Sequence, residues 1–163
     1  MDEQWKTTVW RQFGAAIDML ENAMKACPEA LWNDRTQKPE FWYVTFHTLF
    51  FLDLYLSESE LGFLPPAPFT LDEMDERGLM PERVFSKEEL QKYLEHGRAK
   101  CRSTIADMTE ERARLRCGFS WLDLSGEEML LYNMRHVQHH AGQLHLILRQ
   151  KTESAPRWVR ATR

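Results

Sequence analysis

The segment from Phe41 to Leu56 is apolar nearly all round, with Phe41, Trp42, Val44, Phe46, Leu49, Phe50, Phe51, Leu52, Leu54 and Leu56 in one run. A helix without a polar face must be covered on most sides. The run is shorter than the roughly 20 residues that a bilayer-spanning helix requires, and it contains His47 and Asp53. Its cover must therefore come from elsewhere in the chain. Val44, Phe50, Phe51 and Leu54 stand at helical-neighbour positions to His47, so its imidazole is expected to be held away from bulk water. A buried imidazole needs a partner.

Three further segments have the period of covering helices. Trp5, Val9, Phe13, Ile17, Leu20 and Met24 recur every three or four residues, and Cys27-Pro28 ends that stripe. After the polar connection Asn33 to Lys38, Pro39 is expected to open the apolar helix at its first position. Ser86 with Glu89 forms a capping box ahead of Leu90, Tyr93, Leu94, Cys101, Ile105 and Met108, and residues 109–116 either extend that helix or form an exposed turn. Ser125 with Glu128 opens the last helix, which reaches about Gln150. Between residues 57 and 85 Gly62, Pro65, Pro66, Pro68, Gly78 and Pro81 break the period, while Thr70 with Glu73 reads as a third capping box before a short helix. The pattern predicts an all-α four-helix bundle with a long insertion between its second and third helices. An insertion of this length is expected to serve as a lid or pocket wall.

A chain of 163 residues with 43% hydrophobic side chains suits one domain spanning 1–163. A formal charge of -4 argues against a general nucleic-acid binder, which draws on clustered Lys and Arg; the basic tail Arg157 to Arg163 reads as a solvated end, with a contact to an acidic partner as the lesser alternative. Cys27, Cys101 and Cys117 are odd in number and widely spaced, which fits reduced thiols and a cytoplasmic location. The residues after Met1 lack a basic region followed by an apolar run, so neither a secretory signal nor a membrane partner is expected.

Four of the six histidines fall between His136 and His145. On a helix His136 and His140 stand one turn apart on one face, a spacing that lets two imidazoles chelate one ion. A third ligand could come from any facing helix, and His47 is the best candidate because no other histidine sits in so apolar a helix. Three neutral imidazoles leave a divalent charge uncompensated and favour an anionic fourth ligand. A structural reading uses the same residues: His47 as a satisfied core histidine, His139 and His145 as surface or supporting groups, His96 as solvated, and the acidic runs at Asp72 to Glu76 and Glu110-Glu111 as solvated faces. Gln12, Asn133 and Gln143 are candidates for supporting hydrogen bonds only.

The pattern His136-x-x-x-His140-Ala141-Gly142-Gln143-Leu144, preceded by a histidine in the second long helix, resembles the DinB-like family, also called DinB/YfiT-like metalloenzymes. The resemblance spans nearly the whole chain in helix order, although many members carry Arg where this chain has Ala141. It implies an up-down-down-up four-helix bundle, a metal triad of His47, His136 and His140, zinc or nickel as the ion, and a homodimer. Relatives include S-transferases using low-molecular-weight thiols and a thiol-dependent isomerase. The expected activity is thus metal-dependent transfer from a thiol, or hydrolysis, acting on a small molecule. The alternative is a non-catalytic dimeric binding or stress-response protein whose ion only clamps two helices.

Overall fold

The computed structural model describes residues 1–163 and is all-helical. The elements are α1 (Glu3–Ala26), α2 (Glu29–Trp32), α3 (Phe41–Tyr55), α4 (Lys87–Ala106), α5 (Glu110–Arg114) and α6 (Gly126–Thr152), with a 3-10 turn at Asp72–Met74. The one β-type pairing is an isolated antiparallel bridge between Arg116 and Ser125.

Each long helix starts and stops where its local chemistry directs. Asp2 accepts from the Trp5 amide at 2.7 Å and caps α1, whose stripe Val9, Phe13, Ile17, Leu20 and Met24 is buried. The helix ends at Cys27, which turns to extended backbone before Pro28. Both capping boxes, Ser86 with Glu89 and Ser125 with Glu128, are formed in full. Pro39 does not open α3; Glu40 precedes the first helical residue instead. Its buried carboxylate accepts from Trp42 Nε1 and pairs with Arg35 and Lys38, so it fastens the connection to the helix it introduces. Two short helices interrupt stretches that carry no long apolar period: α2 follows Pro28, and α5, capped by Thr109, occupies the segment read as a helix extension or turn.

The four long helices pack cyclically around one contiguous apolar core. Helices α1 and α3 each pack against α4 and α6, which leaves the consecutive helices α1 and α3 diagonal to one another. Phe41, Trp42, Phe46, Phe50, Leu52 and Leu54 are buried on every side of α3, as its sequence demands. Gly97 lets α4 approach closely, since a Cβ there would come 2.9 Å from Leu52 Cδ2.

The connection from α3 to α4 is fastened to this core by aromatic side chains. Phe63, Phe69 and Phe85 are buried, Phe69 stacks on Tyr93 with centroids 4.4 Å apart, and Trp32 Nε1 donates to the Phe85 carbonyl at 2.9 Å. The expected Thr70–Glu73 capping box does not form. Thr70 Oγ1 donates to Asp72 Oδ2 at 2.6 Å, and the Glu73 side chain turns inward. The basic tail is likewise not a free end: the Thr162 amide donates to the Arg11 carbonyl at 2.9 Å, Gln12 Nε2 donates to the Arg160 carbonyl, and Thr162 lies against Gly14. No helix is long and apolar enough to cross a membrane.

Candidate metal centre

Helix α3 presents His47 toward the face of α6 that carries His136 and His140, and one ligand nitrogen of each lies within 4.8 Å of the other two. His136 Nε2 is 3.4 Å from His47 Nε2. Tetrahedral zinc with Zn–N bonds of about 2.0–2.1 Å holds neighbouring nitrogens about 3.3 Å apart, so this pair already has ligand spacing. Phe51 and Tyr55 wall the group, with ring centroids 4.8 Å from His47 and 6.0 Å from His136 respectively.

Hydrogen bonds to the outer nitrogens fix which atoms face inward. His47 Nδ1 lies 2.7 Å from Glu73 Oε2, and His140 Nδ1 lies 2.7 Å from Gln143 Oε1. Both oxygens are acceptors, so each Nδ1 carries a proton and Nε2 is the nitrogen left to serve as a metal ligand. The Gln143 amide is oriented in turn, its Nε2 donating to His139 Nε2 at 3.2 Å. His136 Nδ1 is buried without a partner. Burial first, and then His140, His47 and His139, push the His136 imidazolium down to about 3. His140 is also lowered, chiefly by burial. His136 and His140, kept neutral by burial, together with His47, whose Nδ1 is held by Glu73, form a donor set that suits a divalent cation.

The remaining polar candidates are distributed unevenly. Asn133 is buried and donates to the Leu52 carbonyl at 3.0 Å, tying α6 to α3. His145 is buried rather than superficial, its Nε2 3.0 Å from the Met19 carbonyl oxygen on α1. His96 is half-exposed, with Nε2 3.3 Å from Asp53 Oδ1. Sequence reasoning placed Glu73 on a solvated acidic face, yet its side chain is 3% exposed and bonded to His47. Within the run Asp72 to Glu76 the sequence marks Glu73 only as a capping partner for Thr70, and nothing there points to His47; the fold selects that contact.

A cleft of about 590 Å³ borders His136 and is lined among others by Gln12, Tyr132, Arg135, His139 and Trp158. Its walls are α1, α6 and the C-terminal tail, and the insertion, expected as a pocket wall, contributes none of them. Arg135 is exposed there without a carboxylate partner.

Among known proteins, the sequence profile of the DinB superfamily matches residues 12–144. No curated protein and no solved structure matches the chain. The matched span contains all three converging histidines and most of the packed helices, and the chain belongs to the DinB superfamily.

Proposed function

We propose that the chain is a metal-dependent enzyme in which His47, His136 and His140 hold a divalent ion, zinc or nickel, and that it catalyses transfer from a low-molecular-weight thiol, or hydrolysis, on a small molecule. The observation that carries this reading is the preset orientation of the imidazoles, with Glu73 and Gln143 directing two Nε2 atoms toward the third histidine. A bound ion would supply Lewis acidity that makes a thiol or water nucleophilic near neutral pH. The chain's own contribution is to keep His136 and His140 neutral by burial and to offer, beside His136, a cleft with Arg135 free to meet an anionic group.

Two of the three cysteines are unsuited to supply the thiol from within the chain. Cys27 and Cys101 are buried, and burial pushes the Cys27 thiol up to about 12 and Cys101 still higher, so neither provides a thiolate at neutral pH. The three free cysteines also accord with the reducing cytoplasm. In this reading residues 1–163 are one domain, the cyclic helix packing is the up-down-down-up bundle, and residues 57–85 are an insertion in it. The exposed Leu146 and Trp158, which border a common hollow, offer apolar surface to a second copy in a homodimer.

Protein purified without chelator is expected to carry one metal per chain by elemental analysis, with the metal lost in His47→Ala and His136→Ala. Turnover of thiol and electrophile, or of a hydrolysable substrate, should be lost with it. Absence of stoichiometric metal, or unchanged turnover in His47→Ala, would overturn the proposal. One geometric fact favours a second, non-catalytic reading: the histidines bridge α3 and α6, so an ion there could act as a clamp. Unfolding on chelation supports the clamp, whereas a folded metal-free chain supports the open site.

A further inference from the structure

Glu73 is a buried carboxylate with incomplete local compensation. Its side chain is 3% exposed, Oε2 takes one hydrogen bond from His47 Nδ1, and Oε1 has no hydrogen-bond partner of good geometry. The Tyr43 hydroxyl lies close enough for the carboxylate, after burial, to push it up, but it is neutral, and no lysine or arginine pairs with Glu73. An uncompensated buried carboxylate is costly, and the structure provides one nearby place for balancing positive charge, the far side of the same imidazole. A dication held by His47 Nε2 would polarise the ring and strengthen the bond from Nδ1 to Glu73, while the carboxylate would raise the basicity of Nε2.

The position of Glu73 in the chain extends the argument. It lies between the buried anchors Phe69 and Phe85, in a stretch whose other residues, Leu71 and 76–80 among them, are largely exposed. Its bond to α3 spans 26 positions. That bond fastens the outer part of the insertion to the helix carrying a ligand.

We infer that Glu73 is a positioning residue for the metal centre, and that through it metal occupancy and docking of residues 70–76 are coupled. The inference rests on the metal reading above and extends it to a residue outside the histidine pattern. Orientation and charge are separable, because Gln at this position accepts from His47 Nδ1–H but supplies no negative charge. Zinc and nickel affinity, measured by competition with a chromophoric chelator, should fall about 10–100-fold in Glu73→Ala. Glu73→Gln should fall between that variant and the wild type. Hydrogen exchange should slow at residues 70–76 when zinc is added to the wild type, with no such slowing in Glu73→Ala; helicity by circular dichroism checks that each variant is folded.

Wild-type affinity in both folded variants, or zinc-independent exchange at 70–76 in the wild type, would overturn the inference while leaving the histidine site standing. A wild-type chain that binds neither zinc nor nickel would remove both readings together. If Glu73→Ala does not fold, the isosteric Glu73→Gln and the zinc response of the wild type still decide the matter.

Discussion

Asp53 buries a carboxylate in the helix that is otherwise the most apolar of the chain, at 1% exposure. Lys100 Nζ lies 2.5 Å from Oδ1 and also bonds the Asp53 carbonyl and Ser57 Oγ, while Tyr93 donates to Oδ2 at 3.2 Å. Removing one member of a buried ion pair leaves the other uncompensated and costs about 3–5 kcal/mol. Asp53→Ala should lose about that much in urea unfolding, and the Asp53→Ala/Lys100→Ala double variant should lose less than the sum of the singles. Additive losses would mean that the two groups are not coupled. The histidine ligand candidates were legible in the sequence because His136 and His140 share a helical period and His47 has an apolar setting. Partners were not legible: Glu73 reaches His47 across 26 positions and Lys100 reaches Asp53 across 47, distances that only packing determines. His145, read as a surface or supporting group, is covered by α1 and meets the Met19 carbonyl, a contact that no spacing signals.

Among the elements, three segments share the spacing of a capping box, and two form it. Ser86 and Ser125 satisfy orphan amides of α4 and α6, whereas the Thr70 segment yields Glu73 to His47. Local spacing thus predicts a helix start only where no tertiary contact claims the acidic residue. Ser125→Ala is expected to cost about 0.5–2 kcal/mol in urea unfolding, and Thr70→Ala to stay within about 0.5 kcal/mol. Glu89 adds a pH signature. The Arg83 guanidinium first, and then the Ser86 amide, hold its carboxyl down at about 2. A depressed carboxyl binds fewer protons folded than unfolded, so its contribution is present above its ordinary value of about 4.5 and fades as the pH falls from there toward 2. The urea midpoint of the wild type should exceed that of Glu89→Gln at neutral pH, with the gap closing over that acid range; a gap unchanged down to pH 2 would show that the charge is not responsible.

Across the whole molecule, the tail crosses back over α1 and carries Trp158 to the cleft beside His136. Charge had suggested a solvated tail, but its backbone bonds to α1 depend on Gly14, a contact with no sequence period. Gly14→Ala adds a methyl group against Thr162, while alanine favours the helix interior by roughly 0.5–1 kcal/mol. Trypsin cleavage after Arg157 and Arg160 should therefore accelerate several-fold without a lower urea midpoint; an unchanged cleavage rate would show that the tail is not held there. The four long helices and the part of the core they carry were readable from period alone, because burial dominates both, whereas the core residues Phe63, Phe69 and Phe85 and the order of packing around the ring were not. The 89 positions between His47 and His136 have a thermodynamic consequence. In the unfolded chain these imidazoles could share an ion only after closing a loop whose entropy costs roughly 4 kcal/mol, on the order of a thousandfold in affinity. Folding brings them together beforehand, so an ion held there would discriminate sharply between the two states, and each tenfold excess over its dissociation constant would add about 1.4 kcal/mol to the folded form.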